Sequence, residues 1–201
     1  METEDTLLTE PCKPVPVEMA ISIRDFKTHL ARVLSCIDMK KQDFCSYVCL
    51  SETDMVGTNG SVLYKGTLPF SVPEKMTVRA ADLLPILKWG TKREDHFRLE
   101  MEITESAGKK SILFSFCGQT LSVPVWTTRY PAYREMFKEG VFEPVTAVTA
   151  MKIDASLVAR ILKTCEDVRL TMGKADNENI FMFAETLDAV KGNFVIGGLQ
   201  D

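Results

Sequence analysis

The period of the apolar positions changes in a regular way along the chain, and the changes mark out the elements. Met19 to Ile23 alternates apolar and polar residues as a half-buried strand does. From Phe26 the spacing lengthens, with Phe26, Leu30, Val33, Leu34 and Ile37 recurring at helical intervals. That stripe leaves Arg24, Lys27, Thr28, Ala31 and Arg32 elsewhere around the helix. Phe44 to Leu50, rich in β-branched, aromatic and Cys residues, predicts a strand. Asp54 to Tyr64 reads as strand, turn, strand around Asn59-Gly60, a dipeptide that tolerates positive φ. Pro69 and Pro73 predict a crossing segment, after which a new strand opens at Lys75. The helix expected from about Ala80 to Trp89 contains Pro85, which lacks a backbone donor, so it is short or kinked, and Gly90 closes it. Strands are expected at Phe97 to Ile103, at Ser111 to Cys117 beyond a turn at Gly108, and at Leu121 to Trp126. Further on, Ala150 to Ile153 predicts a strand and Asp154 a helix cap, followed by a stripe of Leu157, Val158, Ile161 and Leu162. Strands at Val168 to Met172, Ile180 to Phe183 and Gly192 to Ile196 complete the chain.

Part of this pattern repeats. Met76-Thr-Val-Arg-Ala-Ala-Asp-Leu-Leu-Pro-Ile-Leu-Lys88 returns as Met151-Lys-Ile-Asp-Ala-Ser-Leu-Val-Ala-Arg-Ile-Leu-Lys163. Downstream, Phe97 to Met101 returns as Val168 to Met172, and Met19 to Phe26 is a looser third copy. Each copy reads as a short strand, an amphipathic helix and further antiparallel strands, so the class is α+β and the units share a core. Residues 1–15, with charges, Thr and prolines, read as a flexible tail; 16–139 as a domain of two units; 140–148 as a connector; 149–201 as an additional half-domain.

Composition narrows the function. The chain has 201 residues, 45% hydrophobic and 26% charged, with a net charge of −4, which excludes a wholesale polycation but leaves room for a local basic face. No apolar run reaches membrane-spanning length, and the acidic start lacks the form of a signal peptide, so a cytoplasmic protein with no membrane partner is expected. The six cysteines are expected as reduced, mostly buried thiols. Cys45 and Cys49, on one face if both lie on a strand, lack the further ligands a structural zinc site needs. The chain contains no glycine-rich phosphate loop, no His-Glu-x-x-His and no nucleophile elbow, so neither an enzyme nor a cofactor is expected.

Three stretches carry a resemblance to a known family. Met55-Val-Gly-Thr-Asn-Gly-Ser-Val-Leu63, Tyr130-Pro-Ala-Tyr-Arg134 and Phe194-Val-Ile-Gly-Gly-Leu199 resemble, in order and spacing, segments of the bacterial DNA sliding clamp, the β subunit of the replicative polymerase. The resemblance covers most of Met19 to Asp201 and implies clamp half-domains with helices toward DNA and sheets outside. Residues 16–139 then correspond to the middle domain and 149–201 to the second half of the last, with the first domain and the first half of the third missing. It implies sequence-independent binding of duplex DNA by Arg24, Lys27, Arg32, Arg79, Lys88, Arg160 and Lys163. It also implies a pocket for short peptide motifs of a DNA polymerase or other clamp-binding proteins, made by Thr58, Gly60, Ser61, Val62, Leu63, Pro131, Val195, Ile196 and Leu199. Asn59 stands where the family has Asp, Ser61-Val62 where it has His-Arg, and Gly197-Gly198 where it has Met-Pro, so partner preference differs.

Two readings of the basic residues stay open, a phosphate-binding face or the ordinary solvated face of amphipathic helices. The apolar pocket residues likewise read as a pocket or as core packing. Three functions follow: a nucleoid-associated processivity clamp assembled as a homo-oligomer; a reduced clamp that leaves its ring open and competes for clamp-binding peptides as a regulator or decoy; and an α+β interaction domain that has drifted to another use.

Overall fold

Ser22 ends the first strand, β1 (Met19–Ser22), and caps the first helix, α1 (Ile23–Cys36), by accepting from the Asp25 amide at 3.0 Å. The computed structural model describes residues 19–90, 93, 96–137, 143–144, 153–174 and 180–197. The expected tail, most of the connector, the start of the strand at Ala150, Cys12 and Leu199 lie outside the described residues. Asp43 caps a 3-10 turn over Phe44–Ser46, so the strand expected from Phe44 begins instead at Tyr47, as β2 (Tyr47–Thr58). Cys45 therefore sits on the turn and only Cys49 on the strand. Burial pushes the thiols of Cys36 and Cys49 up to about 12 and about 11, which keeps them protonated.

The largest departure concerns β3 (Val62–Arg79), one strand where a crossing segment and a new strand were expected. Pro69 and Pro73 fit within it because the ladder to β2 shifts register there, from Asp54↔Thr67 to Glu52↔Val72. The bulged stretch needs no donor at the proline positions. β3 then passes directly into α2 (Ala80–Leu83), which tightens into a 3-10 helix over Leu84–Lys88 at Pro85. β4 (Arg98–Ser106), β5 (Lys109–Phe116) and β6 (Gln119–Pro124) form a meander. Its tight turns, Ala107-Gly108 and Cys117-Gly118, have positive φ at both residues, the backbone twist that matches paired strands. A 3-10 helix over Tyr133–Phe137 and β7 (Glu143–Pro144) lead to α3 (Ala155–Leu162), capped by Asp154 as expected. β8 (Val168–Lys174), β9 (Ile180–Thr186) and β10 (Gly192–Gly197) follow.

Among the described residues two antiparallel sheets result, one ordered β1-β4-β5-β6 and the other β2-β3-β10-β9-β8-β7. The class is α+β. The sheets do not follow the units read from the sequence: β1 joins the strands after α2, and β2 and β3 join the strands after α3. One apolar core runs through both sheets, taking Phe26, Leu30 and Val33 from α1, Leu83 and Ile86 from the second helical segment, and Leu157 and Ile161 from α3.

The seam between β3 and β10 is built around glycine. Gly66 and Gly192 face each other across the ladder, and a Cβ on either would land 2.3 Å from His29 Nδ1 or 2.4 Å from the Tyr64 hydroxyl. The space they leave holds both rings, and His29 Nδ1 lies 2.8 Å from the Tyr64 hydroxyl. Burial first, and the nearby Arg32 charge second, push His29 down from 6.5 to about 4. A depressed folded value means that neutral His29 contributes stability that is complete above about pH 6.5 and lost as pH falls toward 4. The loss is on the order of 3 kcal/mol at most. H29Q, which does not titrate, is expected to flatten the unfolding free energy over that window. An unchanged slope in urea titrations of the variant would assign the acid sensitivity to other groups.

Candidate peptide pocket and helix face

The pocket begins at the β2–β3 hairpin. Asn59 Oδ1 accepts from the amides of Ser61 and Val62, each at 3.0 Å, while the Thr58 hydroxyl donates to the Val62 carbonyl at 2.7 Å and accepts from the Gly60 amide at 3.1 Å. Gly60, at φ +93°, takes the left-handed corner. Opposite the hairpin, the Tyr130 to Arg134 segment is pinned to β2. The Tyr130 hydroxyl donates to the Val56 carbonyl at 3.3 Å and the Tyr133 hydroxyl to Asp54 Oδ2 at 2.9 Å. Arg134 pairs with Asp54 at 3.3 Å and with Glu52 at 2.5 Å. Beneath lies a small second core of Cys49, Val56, Leu63, Tyr130 and Tyr133. β10 closes the third side, its Gly197 amide donating to the Ser61 carbonyl at 2.9 Å.

Between these walls is a cavity of about 290 Å³. The structure brings together Thr58, Gly60, Ser61, Val62, Leu63, Pro131 and Val195 from the expected set. Ile196 is corrected: strand side chains alternate, so with Val195 and Gly197 on the cavity side it turns into the main core, 1% exposed. Phe44, Tyr133, Met136 and Phe181 also line the cavity and were not foreseen. Met136, on the short 3-10 helix behind Pro131, carried no periodic signal.

The basic residues divide. Arg24, Lys88, Arg160 and Lys163 are exposed, and Arg24 and Lys163 line one cleft of about 350 Å³ where α1 meets the end of α3. Arg32 is corrected, since it is 1% exposed and does not face solvent. Its guanidinium donates to the Thr164 and Val190 carbonyls at 3.2 and 2.5 Å and pairs with Asp188. Lys27 Nζ donates to the Trp89 carbonyl. Arg79 lies over the Trp126 ring, 4.7 Å from its centroid, and its Nε donates to the Tyr47 hydroxyl at 3.3 Å. Among the described residues no cluster of His, Cys, Asp and Glu could hold a metal ion, and no helix is long and apolar enough to cross a membrane.

No protein-family model matches the chain, and no curated protein matches it in sequence. Solved structures do. The DNA polymerase III subunit beta from Pseudomonas aeruginosa superposes with a TM-score of 0.68 at 10% identity, over 96% of this chain and 69% of that one. The beta chain from Streptococcus pneumoniae gives 0.67 at 9% identity, over 100% of this chain and 69% of that one. The chain has the fold of the bacterial DNA sliding clamp. The subunit beta from Borrelia burgdorferi, solved in complex with a natural product, gives 0.66 at 12% identity over 94% of this chain and 67% of that one. In this clamp fold the β3–β10 seam joins the strands around α1 to those after α3, and the 290 Å³ cavity sits at one end of that seam.

Proposed function

We propose that this chain is a non-catalytic, clamp-type protein of DNA replication or repair that holds partner proteins by short peptide motifs in the cavity beside the β2–β3 hairpin. The reading rests on one observation: seven residues chosen from the sequence as a peptide pocket line a single apolar cavity in a protein with the sliding-clamp fold. Sequence-independent binding of duplex DNA, by Arg24, Lys88, Arg160 and Lys163, and assembly of several copies in the cytoplasm belong to the same proposal. Phosphate contacts by these four make that binding fall with salt.

A second reading, a clamp homologue that competes for clamp-binding peptides without encircling DNA, is favoured by the fate of the other cations. Arg32 is buried in an ion pair, and Lys27 and Arg79 are engaged within the molecule, so the helix face is less basic than the sequence predicts.

Anisotropy of a labelled peptide carrying a Gln and two large apolar residues tests the pocket. Binding is expected, and M136E, which places a charge against the apolar lining, should weaken it about tenfold. A peptide that binds wild type and M136E alike would remove the pocket from the proposal. Duplex binding that weakens with salt and is lost in R24E/K163E supports the encircling clamp, whereas peptide binding alone supports the competitor. Failure of both leaves a drifted interaction domain.

A further inference from the structure

A groove larger than the pocket and the cleft lies away from both surfaces described so far. It is an open groove of about 900 Å³ between the end of β3, the β4–β5 turn and the segment leaving β6. Lys75, Lys109, Lys110 and Arg129 line it against a single carboxylate, Glu74, which pairs with Lys110 at 2.5 Å. On a protein of net charge −4, that concentration of cations is not background. The groove also holds Trp126, one of the few large apolar side chains left open to solvent, at 41% exposure.

The indole is held in place. Its backbone amide donates to the Thr77 carbonyl at 2.8 Å, the Thr77 hydroxyl donates back to the Trp126 carbonyl, and the adjacent Val125 amide donates to the Lys110 carbonyl at 2.9 Å. Arg79 stacks on the ring and Tyr47 meets it edge-on, with centroids 6.4 Å apart. Lys109 and Arg129 are exposed beside it, and a large ring held in place yet open to solvent is apolar surface that a ligand can cover.

We infer that this groove binds single-stranded nucleic acid, with the cations following the phosphates and Trp126 stacking on a base. The pairing of a positive groove with a fixed aromatic platform is what an unpaired strand uses without regard to sequence. A duplex keeps its base faces inside the stack and offers none to the indole. An acidic peptide satisfies the cations and leaves the ring bare. The inference does not depend on the clamp reading, since no residue lines both this groove and the pocket or the cleft between α1 and α3.

The test uses a labelled oligothymidylate of about fifteen nucleotides, read by anisotropy and by intrinsic fluorescence. Trp89 is buried, 8% exposed, so quenching on binding should come from Trp126 and vanish in W126A. W126A should lose about tenfold in affinity, and W126F, which keeps a ring to stack, should recover most of it. K109E/R129E should weaken binding and reduce the salt slope by about 1.4, roughly 0.7 for each phosphate contact removed. R24E/K163E should leave oligothymidylate binding unchanged, which separates this groove from the helix face. These substitutions are at exposed positions, and matched urea midpoints would show that folding is intact. The inference is overturned by absence of oligonucleotide binding at low salt, by binding indifferent to W126A and K109E/R129E, or by oligoglutamate displacing the oligonucleotide at equal charge concentration.

Discussion

R32A is expected to destabilise the protein by about 3–5 kcal/mol, more than any other single cation removed from its surface helices. The residue was read from the sequence as part of a DNA-facing helix. In the fold its guanidinium is buried and holds two separate pieces of the last third of the chain: the Thr164 carbonyl after α3, and the loop before β10 through the Val190 carbonyl and the Asp188 carboxylate. Alanine leaves Asp188, itself only 10% exposed, without its charge partner and takes a donor from the Thr164 and Val190 carbonyls, the second of which keeps the Thr186 hydroxyl. Arg24, about two turns earlier on α1 and exposed, provides the control, and R24A should change stability by no more than about 0.5 kcal/mol. Urea unfolding of the two variants decides the matter. An R32A protein that unfolds with wild type, yet loses salt-sensitive DNA binding, would return Arg32 to the helix face.

G66A is expected to cost about 1–3 kcal/mol, because its methyl group lands on the His29 ring rather than in open space. The ring cannot swing away cheaply, since it is buried and its Nδ1 lies at the Tyr64 hydroxyl. G192A meets the same Tyr64 hydroxyl from the opposite strand, so the two substitutions should couple: the double variant is expected to lose less than the sum of the singles. H29A, by emptying the space, should relieve part of the penalty of G66A. Because both glycines sit in the β3–β10 ladder that carries Val195 and Gly197 to the cavity, peptide affinity should fall together with stability. Midpoints equal to wild type in both variants would show that the seam has slack the structure does not reveal.

These two expectations concern the same region, and it is the region the sequence described least well. Local signals were reliable where the physics is local. Thr58-Asn59-Gly60 encodes a turn because the side chains of Thr58 and Asn59 satisfy the backbone of the next few residues and Gly60 accepts positive φ. Asp154 encodes a helix start because its carboxylate accepts amides two and three residues on, and Pro85 ends the α-helical turn because it has no N–H to donate back to Ala81. Most of the pocket was legible for a related reason: Thr58 to Leu63 is one turn, so a resemblance that places the turn places its residues together.

By itself, then, the sequence determined the helices with their caps, the tight turns, the α+β class and the short stretches from which the pocket is made. Tertiary structure alone decided which strands pair, which of seven cations meets water, and which side of β10 faces the cavity. Apolar periodicity reports that one face of an element is buried, not against what. Lys and Arg on a helix carry no mark that distinguishes a free charge from one that will find a carboxylate 156 residues later, as Arg32 finds Asp188. Likewise β3 passes through two prolines only because its own extra residues bulge out of the ladder to β2 there, and that irregularity exists only once the strands have met.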